Sequence, residues 1–516
     1  MDGTRYPIAV LRQAAALCRA PLLIALTHVA LFDAACYYVY SGGSYSTAFF
    51  AALLCTAKLV PLFFIVAMLP SWGRWLVPVE FFASAVATYF VVTYKVELSA
   101  DTLALLYESD VSEAHAFVGA TLAGWVAACT AAGVLLARRI PLAKGLRWPA
   151  GAVALVVMVP LYQWGGDLRR VVAEKLPAQL PYVLWQQSSR YFAQRHQLEH
   201  MLAGKQDISR LPLSAKGDDV EAVLVIGESA RSDHFQLNGY ARDTTPKLAA
   251  RGVVSYPNSL ACGNRTRISV PCLLTRAGIG VAPEQLADES SLISVFNAAG
   301  FGTQWLSNQR VMHGNDTITT ALAAEAGRSL FNRSSYRTAR DEVILPAVAD
   351  HLQSAGRRHL TVVHTVGSHW AYQNRYPKEL ERFKPACDDS NPQLCSREEL
   401  VNAYDNSILA TDAFLASVID LLEDRDAFLI YVSDHGESLG EDGYYGHGQA
   451  VERLEQRLVP FLFWASDTFK ARHPERYRRA LELGGNPLTH DFVFHSMLRC
   501  AGIDGEVVDR AYSLCG

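Results

Sequence analysis

The residues of this chain best suited to chemistry are carboxylates and imidazoles that each follow an apolar run. Glu228 comes two residues after AVLVI (222–226), and Asp434-His435 closes AFLIYVSDH. His369 lies just beyond HLTVVHTV (359–366), and His447 sits in the glycine-rich GEDGYYGHG. Such groups are ordinary zinc ligands. Any one of them alone could cap a helix or a loop instead. That reading weakens because all of them gather at the ends of apolar runs. Thr266 lies in LACGNRTRISVPCLLT (260–275), between Cys262 and Cys272. A threonine hydroxyl is a poor nucleophile until a base or a metal lowers its pKa. Zinc does this and also polarises a phosphoryl oxygen. Thr266 near Glu228, Asp434 and His435 would be such a site. Ser229 is a rival nucleophile beside Glu228, but its place after a strand suits a helix N-cap better.

These residues need a scaffold that brings them to one edge. The apolar runs read as buried strands. They alternate with amphipathic stretches such as 401–423, which argues for an α/β sandwich with a mostly parallel sheet. In such sheets sites gather beyond the carboxyl ends of the strands. Thr245-Pro246 suits a helix start, with Thr245 as cap and the proline in the first turn. Gly239 suits a tight turn. His490 and His495, in THDFVFHSML, are expected to be structural. A Cys262–Cys272 bridge would stiffen the Thr266 loop, and Cys387–Cys395 and Cys500–Cys515 form two further close pairs. Bridges require an oxidising compartment. Cys18, Cys36, Cys55 and Cys129 read as small apolar side chains.

The first third is a different material. The whole chain of 516 residues is 50% hydrophobic and 19% charged, which excludes a disordered chain. Its net charge of -4 gives no sign of a nucleic-acid partner. Yet residues 21–94 carry only Asp33, Lys58, Arg74 and Glu80 as charged side chains, and one histidine, His28, precedes position 115. Segments 21–40, 46–70, 75–94, 116–137 and 147–164 approach the roughly 20 apolar residues that span a bilayer. Arg5, Arg12 and Arg19, and the loop with Arg138, Arg139, Lys144 and Arg147, place the N-terminus and that loop in the cytoplasm. Everything after about residue 165 then lies outside. Asp33 and Lys58 fall at similar depth and are expected to pair as a helix staple. The stretch PYVLWQQSSRYFAQRHQ mixes aromatic and basic residues, which suits either the headgroup layer or an ordinary packing helix. The expected divisions are a five-span helical membrane domain (1–164), an interfacial helical connector (165–220) and an α/β catalytic domain (221–516).

Taken together, VLVIGESARSDHFQLNGYARDTTPKL, CGNRTRISVPC, HTVGSHWAYQNRYP and YVSDHGESLGEDGYYGHG resemble the phosphoethanolamine transferases of Gram-negative bacteria, within the alkaline phosphatase and sulfatase superfamily. The resemblance covers nearly the whole chain. It implies an inner-membrane enzyme, acting as a monomer, with an alkaline-phosphatase-like domain in the periplasm. It implies zinc held by Glu228, Thr266, Asp434 and His435, with Thr266 as the nucleophile that carries phosphoethanolamine. His369 and His447 match histidines near the phosphoryl group or a second zinc. The implied donor is phosphatidylethanolamine, and the implied acceptor is lipopolysaccharide, at a core sugar or at lipid A, as in polymyxin resistance.

The chain departs from the family pattern in places. It has GES where GET is usual, and Asn264 and Arg265 stand within the CGTxT pattern, followed by Arg267. The two arginines suit phosphate binding or are simply solvated. Ser109 and Glu113 fit an acidic outer-loop motif implied to bind substrate, but Leu105 replaces a common asparagine. WLSNQRVMHG places Asn308 and His313 where lipid A-modifying members carry a lysine after an Asn-Asn pair. This pattern is closer to members that modify core sugars. Rival readings are transfer of another headgroup such as phosphoglycerol, a soluble-ester hydrolase, and an envelope scaffold with an inactive sulfatase-like domain.

Overall fold

The computed structural model describes residues 19–108, 117–140, 179–282, 285–286, 288–309, 317–332, 340–354, 356, 358–449 and 452–516. Two compact units emerge, one drawn from Met1–Leu105 and Val118–Phe192, the other from Leu106–Phe117 and Ala193–Gly516. The division falls inside the expected connector.

In the first unit, four helices are long and apolar enough to cross a membrane: α1 (Arg19–Tyr40), α2 (Tyr45–Met68), α3 (Gly73–Tyr94) and α4 (Ala120–Ala137). They match the first four expected spans; 147–164 lies outside the described residues. Apolar side chains cannot drive helices together where lipid is equally apolar, so close packing must do so. Gly133 of α4 shows this. A Cβ there would lie 2.9 Å from the Pro78 Cα and 3.0 Å from the Phe81 Cβ of α3, so only glycine allows this approach. The Trp125 indole adds a hydrogen bond to the Ala85 carbonyl (3.0 Å).

The expected Asp33–Lys58 pair does not form. Asp33 Oδ2 meets His28 Nδ1 at 2.8 Å, and His28 Nε2 meets Glu80 Oε1 of α3 at 2.6 Å. A π-helical turn over Val29–Asp33 explains the difference. Its wider winding lets residues five apart share a side. Matching depth along two helices says nothing about which faces they turn to each other. The second Asp33 oxygen accepts from the Leu180 amide (3.1 Å), just ahead of helix α5 (Tyr182–Gly204). On α5, Trp185 and Phe192 are exposed and Tyr191 is buried.

The second unit is built on a seven-stranded sheet, ordered β3-β10-β7-β2-β6-β4-β5. The strands are β2 (Glu221–Gly227), β3 (Val254–Leu260), β4 (Gly302–Ser307), β5 (Arg328–Phe331), β6 (His359–His364), β7 (Ala427–Ser433) and β10 (Leu458–Ala465). Strands β7, β2, β6, β4 and β5 are mutually parallel, and only β10 runs against its neighbours. Central strands rich in Val, Ile and Leu suit a sheet covered on both faces, and β2 and β7 are buried throughout. One face carries the core around Leu224, Ile226, Trp305 and Phe461. The other carries Val223, Val225, Leu429 and helix α7 (Arg397–Asp420). That helix covers the expected 401–423 and begins earlier, at a capping box formed by Ser396 and Glu399. Two small pairs complete the unit: β1 (Leu213–Lys216) with β11 (Ile503–Gly505), and β8 (Ser438–Leu439) with β9 (Tyr445–Gly446). Since β1 pairs with β11, the end of the expected connector belongs to this unit.

Three bridges close as the spacing suggests: Cys262–Cys272, Cys387–Cys395 and Cys500–Cys515. Gly239 turns at a positive φ of 93°. The helix at Pro246 starts where expected, but Thr245 does not cap it. The Thr245 hydroxyl accepts from the Leu237 amide, while Asp412 accepts from the amides of Lys247 and Leu248. A carboxylate distant in sequence thus takes the capping role.

Candidate metal-assisted phosphoryl-transfer site

Five chain segments leave the sheet at one edge. Glu228 follows β2, Asn308 and Gln309 follow β4, His369 lies in the loop after β6, Asp434-His435 follows β7, and the loop after β3 leads to Thr266. The edge is shared because β3 is antiparallel to β10, which is itself antiparallel to β7.

Thr266 is the first residue of helix α6 (Thr266–Leu274), where unpaired amides favour negative charge. Its hydroxyl donates to Glu228 Oε2 (3.1 Å) and lies 3.3 Å from His435 Nε2. His435 Nδ1 faces the Gly436 carbonyl at 2.9 Å and must donate to it. Nε2 then presents a lone pair. That lone pair lies 3.3 Å from Glu228 Oε1 and 3.4 Å from Asp434 Oδ2. Ligand atoms of Glu228, Asp434 and His435 all fall within 4.8 Å of one another, and all three residues are buried.

Such a convergence of lone pairs suits a cation. Burial disfavours the Glu228 carboxylate, but its neighbours, the His435 ring foremost and the donating Ser229 hydroxyl among them, hold its pKa below the usual range. Burial and the Glu228 charge push Asp434 well above it. The buried Asp434 Oδ2 has no hydrogen-bond donor in good geometry among the described residues. Two carboxylates, one imidazole lone pair and a hydroxyl oxygen form a donor set that fits a zinc ion. Glu228, Asp434, His435 and Thr266 would hold it.

The other sequence candidates divide. His447 lies against His435, with ring centroids 4.1 Å apart, and His369 lies 5.6 Å from His447. Burial pushes His447 down to about 3, so it is a neutral imidazole. Asn308 sits at the edge, but its amide is spent inside the fold: it donates to Asp341 Oδ1 (2.8 Å) and accepts from Asn332 (2.6 Å). Asp341 in turn accepts from the Val366 and Gly367 amides, which shapes the loop toward His369. That loop passes so close to Glu228 that a Cβ on Gly367 would lie 2.6 Å from the Glu228 carbonyl. Ser109, Glu113 and His313 lie outside the described residues. Arg265 donates to the Gly448 carbonyl (3.0 Å), beside His447. His495 is structural as expected: its ring accepts from the Asp509 amide.

Ser229 is not a helix cap. It turns at a positive φ of 57°, the next short helix begins only at Ser232, and its hydroxyl donates to Glu228 Oε1 (2.7 Å). Sequence reasoning also passed over two residues. Gln309 donates from Nε2 to Glu228 Oε2 (2.8 Å) and to the Thr365 carbonyl (3.0 Å), which fixes the carboxylate. Glu437 is fully buried with Oε1 3.4 Å from His447 Nδ1, and burial raises it to about 7. The only sequence signal for them was proximity: Gln309 follows Asn308, and Glu437 is the second carboxylate of SDHGES.

Known proteins share this architecture. The sulfatase family model matches residues 221–503, and the model described as phosphoethanolamine transferase EptA/EptB matches 55–162. Phosphoethanolamine transferase EptA of Salmonella typhimurium is 30% identical over 466 residues, covering 84% of this chain and 83% of that protein. The integral membrane lipooligosaccharide phosphoethanolamine transferase A of Neisseria meningitidis superposes with a TM-score of 0.77 at 21% identity, covering 96% of this chain and 98% of its own. The C-terminal periplasmic domain of Escherichia coli EptC, solved as a complex with Zn, is 26% identical with a TM-score of 0.52, covering 59% and 90% respectively. A helical membrane domain joined to an α/β sulfatase-like domain, with these motifs in order, places the chain in the phosphoethanolamine transferase family of the alkaline phosphatase and sulfatase superfamily.

Proposed function

We propose that the protein transfers phosphoethanolamine from phosphatidylethanolamine to lipopolysaccharide, through a phosphorylated Thr266, at the periplasmic face of the bacterial inner membrane. One observation carries the reading: the Thr266 hydroxyl stands at a helix N-terminus within 3.3 Å of both Glu228 and His435. When bound there, zinc supplies Lewis acidity that favours the threonine alkoxide and offsets phosphoryl charge.

The chain's own groups account for the remaining steps. Thr266 Oγ1 bonds to phosphorus as the bond to the diacylglycerol oxygen breaks, and the hydroxyl proton ends on that leaving oxygen. Phosphoryl transfer needs positioning and charge stabilisation above all. The α6 amides face the incoming anion, and neutral His447, beside Glu437, offers a hydrogen bond to a phosphoryl oxygen. In the second half, an acceptor oxygen bonds to phosphorus as the bond to Thr266 Oγ1 breaks, and the acceptor's proton returns the threonine to its hydroxyl form. A lipid donor explains why the domain is joined to membrane helices, which a hydrolase of soluble esters does not require. Three disulfides and the basic loops support an outside location. Which position receives the group, a core sugar or lipid A, follows from the acceptor side, where this chain has SNQ in place of an Asn-Asn-lysine pattern.

The test is mass spectrometry of lipid A and core oligosaccharide from cells with and without the gene, joined to chelation and zinc readdition with purified protein. Phosphoethanolamine on either acceptor, lost on chelation and restored best by zinc, is expected. Transfer of phosphoglycerol, or hydrolysis without transfer, contradicts the reading.

A further inference from the structure

His490 occupies a place that its expected structural role does not exhaust. Strand β3 ends at Leu260, ahead of the Thr266 loop, and β7 ends at Ser433, directly ahead of Asp434-His435. The segment before helix α8 (Asp491–Cys500) runs alongside the first of these. The Leu260 amide donates to the Leu488 carbonyl (2.8 Å), and the His490 amide donates to the Leu260 carbonyl (3.0 Å). The His490 ring then reaches both loops. The Cys262 amide donates to Nδ1 (3.1 Å), and Nε2 donates to the Ser433 carbonyl (3.0 Å). An amide only donates and a carbonyl only accepts, so the ring is the neutral tautomer with its proton on Nε2. It is fully buried. Ser433 is itself engaged with the ligand loops: its hydroxyl accepts from the Ala230 amide and donates to the His435 carbonyl.

Several other ties on the Thr266 loop lead elsewhere: Asn264 donates to the Gln449 carbonyl and Arg265 to the Gly448 carbonyl. The Cys262–Cys272 bridge joins the loop to α6, and Arg457 holds Ala261 against the start of β10. The His490 imidazole links it directly to the strand that presents Asp434 and His435. We propose that His490 is a positioning residue for phosphoryl transfer: it sets the separation between the Thr266 hydroxyl and the Asp434-His435 pair. This rests on the reaction proposed above. A small misplacement of reacting groups is enough to slow such a step strongly.

The experiment compares full-length wild type, H490F and H490Q in detergent. Transfer is followed with phosphatidylethanolamine carrying a labelled headgroup, alongside bound zinc and melting temperature. H490F fills the space but makes neither bond. H490Q retains an amide that can donate and accept. The expected result is a kcat for H490F lower by about 10- to 100-fold, with KM within about twofold and zinc still bound, and a kcat for H490Q between the two. A purely structural role predicts instead that lost activity tracks the lost folded fraction and that kcat per folded, zinc-loaded molecule is unchanged; that result overturns the proposal. If H490F does not fold, H490Q decides alone: folded H490Q with less than a tenth of wild-type kcat, or with kcat equal to wild type, overturns it, and an intermediate value supports it. Wild type that transfers no headgroup at all would instead defeat the underlying reaction.

Discussion

Among the described residues, two clusters set carboxylates around a fully buried histidine, one in each unit, and they do opposite things. In the membrane unit, His28 spends one ring nitrogen on Asp33 and the other on Glu80, and Asp33 also holds the Leu180 amide. Each ring nitrogen there meets a carboxylate oxygen, the pairing that a buried charged group requires for structure. In the soluble unit, His435 spends one nitrogen on a carbonyl and turns the other, as a lone pair, toward two carboxylates and a hydroxyl. An imidazole lone pair faces carboxylate oxygens there, an arrangement that suits a bound cation. Composition alone does not separate the two. The direction of each hydrogen bond does.

The largest expected effect lies in the soluble cluster. Thr266→Ala should lower transfer by a factor on the order of a thousand or more, with unchanged membrane insertion and melting temperature. Substantial residual transfer would move the nucleophile elsewhere. The membrane cluster should respond in stability instead. His28→Leu leaves buried carboxylates without their partner and should cost about 3–5 kcal/mol, read as a lower melting temperature in detergent, while molecules that remain folded keep their kcat. Replacing His28 together with Asp33 should cost less than the single change. If His28→Leu removes chemistry and spares stability, the contrast fails.

Gln309→Ala sharpens the comparison within the site. It frees the Glu228 carboxylate without removing a ligand, so zinc affinity or kcat should fall by about 10- to 100-fold. No change in either would mean that Gln309 does not fix the carboxylate. Acid should act on the soluble unit. Burial lowers His364 to about 4 and His490 to about 3, against about 6.5 when unfolded. Below pH 6.5 the unfolded chain takes up protons that the folded one does not, so stability falls as pH drops from about 6.5 toward 4, by about 1.4 kcal/mol per pH unit for each ring. Melting temperatures at pH 7.5 and 5.5 check this; equal values contradict it. The smallest effect is expected at Lys58, which does not pair with Asp33. Lys58→Gln should change stability by about 0.5 kcal/mol or less, and a loss as large as that of His28→Leu would restore the Asp33–Lys58 pairing.

Much of the site was legible because its rules are local. Glu228, Asp434 and His435 follow continuous apolar runs, and strand ends in a parallel sheet share an edge, so type and position together marked them. The disulfides were legible for the same reason: each joins cysteines close in sequence. What stayed hidden depends on facing. Equal depth suggested Lys58 for Asp33, but a π turn chose His28, although His28 stood out as the one histidine before position 115. Ser229 looked like a cap because serine after a strand usually precedes a helix, and a positive φ sent the chain elsewhere. Gln309 acts on Glu228 from a distant segment, and no spacing rule connects the two; Glu437 lies close in sequence, but nothing in the spacing shows that it turns toward His447.

The most direct test of the account is to find where the headgroup rests between donor and acceptor. Full-length protein incubated with labelled phosphatidylethanolamine and no acceptor, then digested and sequenced by mass spectrometry, should carry phosphoethanolamine on Thr266 and release diacylglycerol, with no label in Thr266→Ala. Label on Ser229, or headgroup transfer with no protein-bound intermediate, would contradict it.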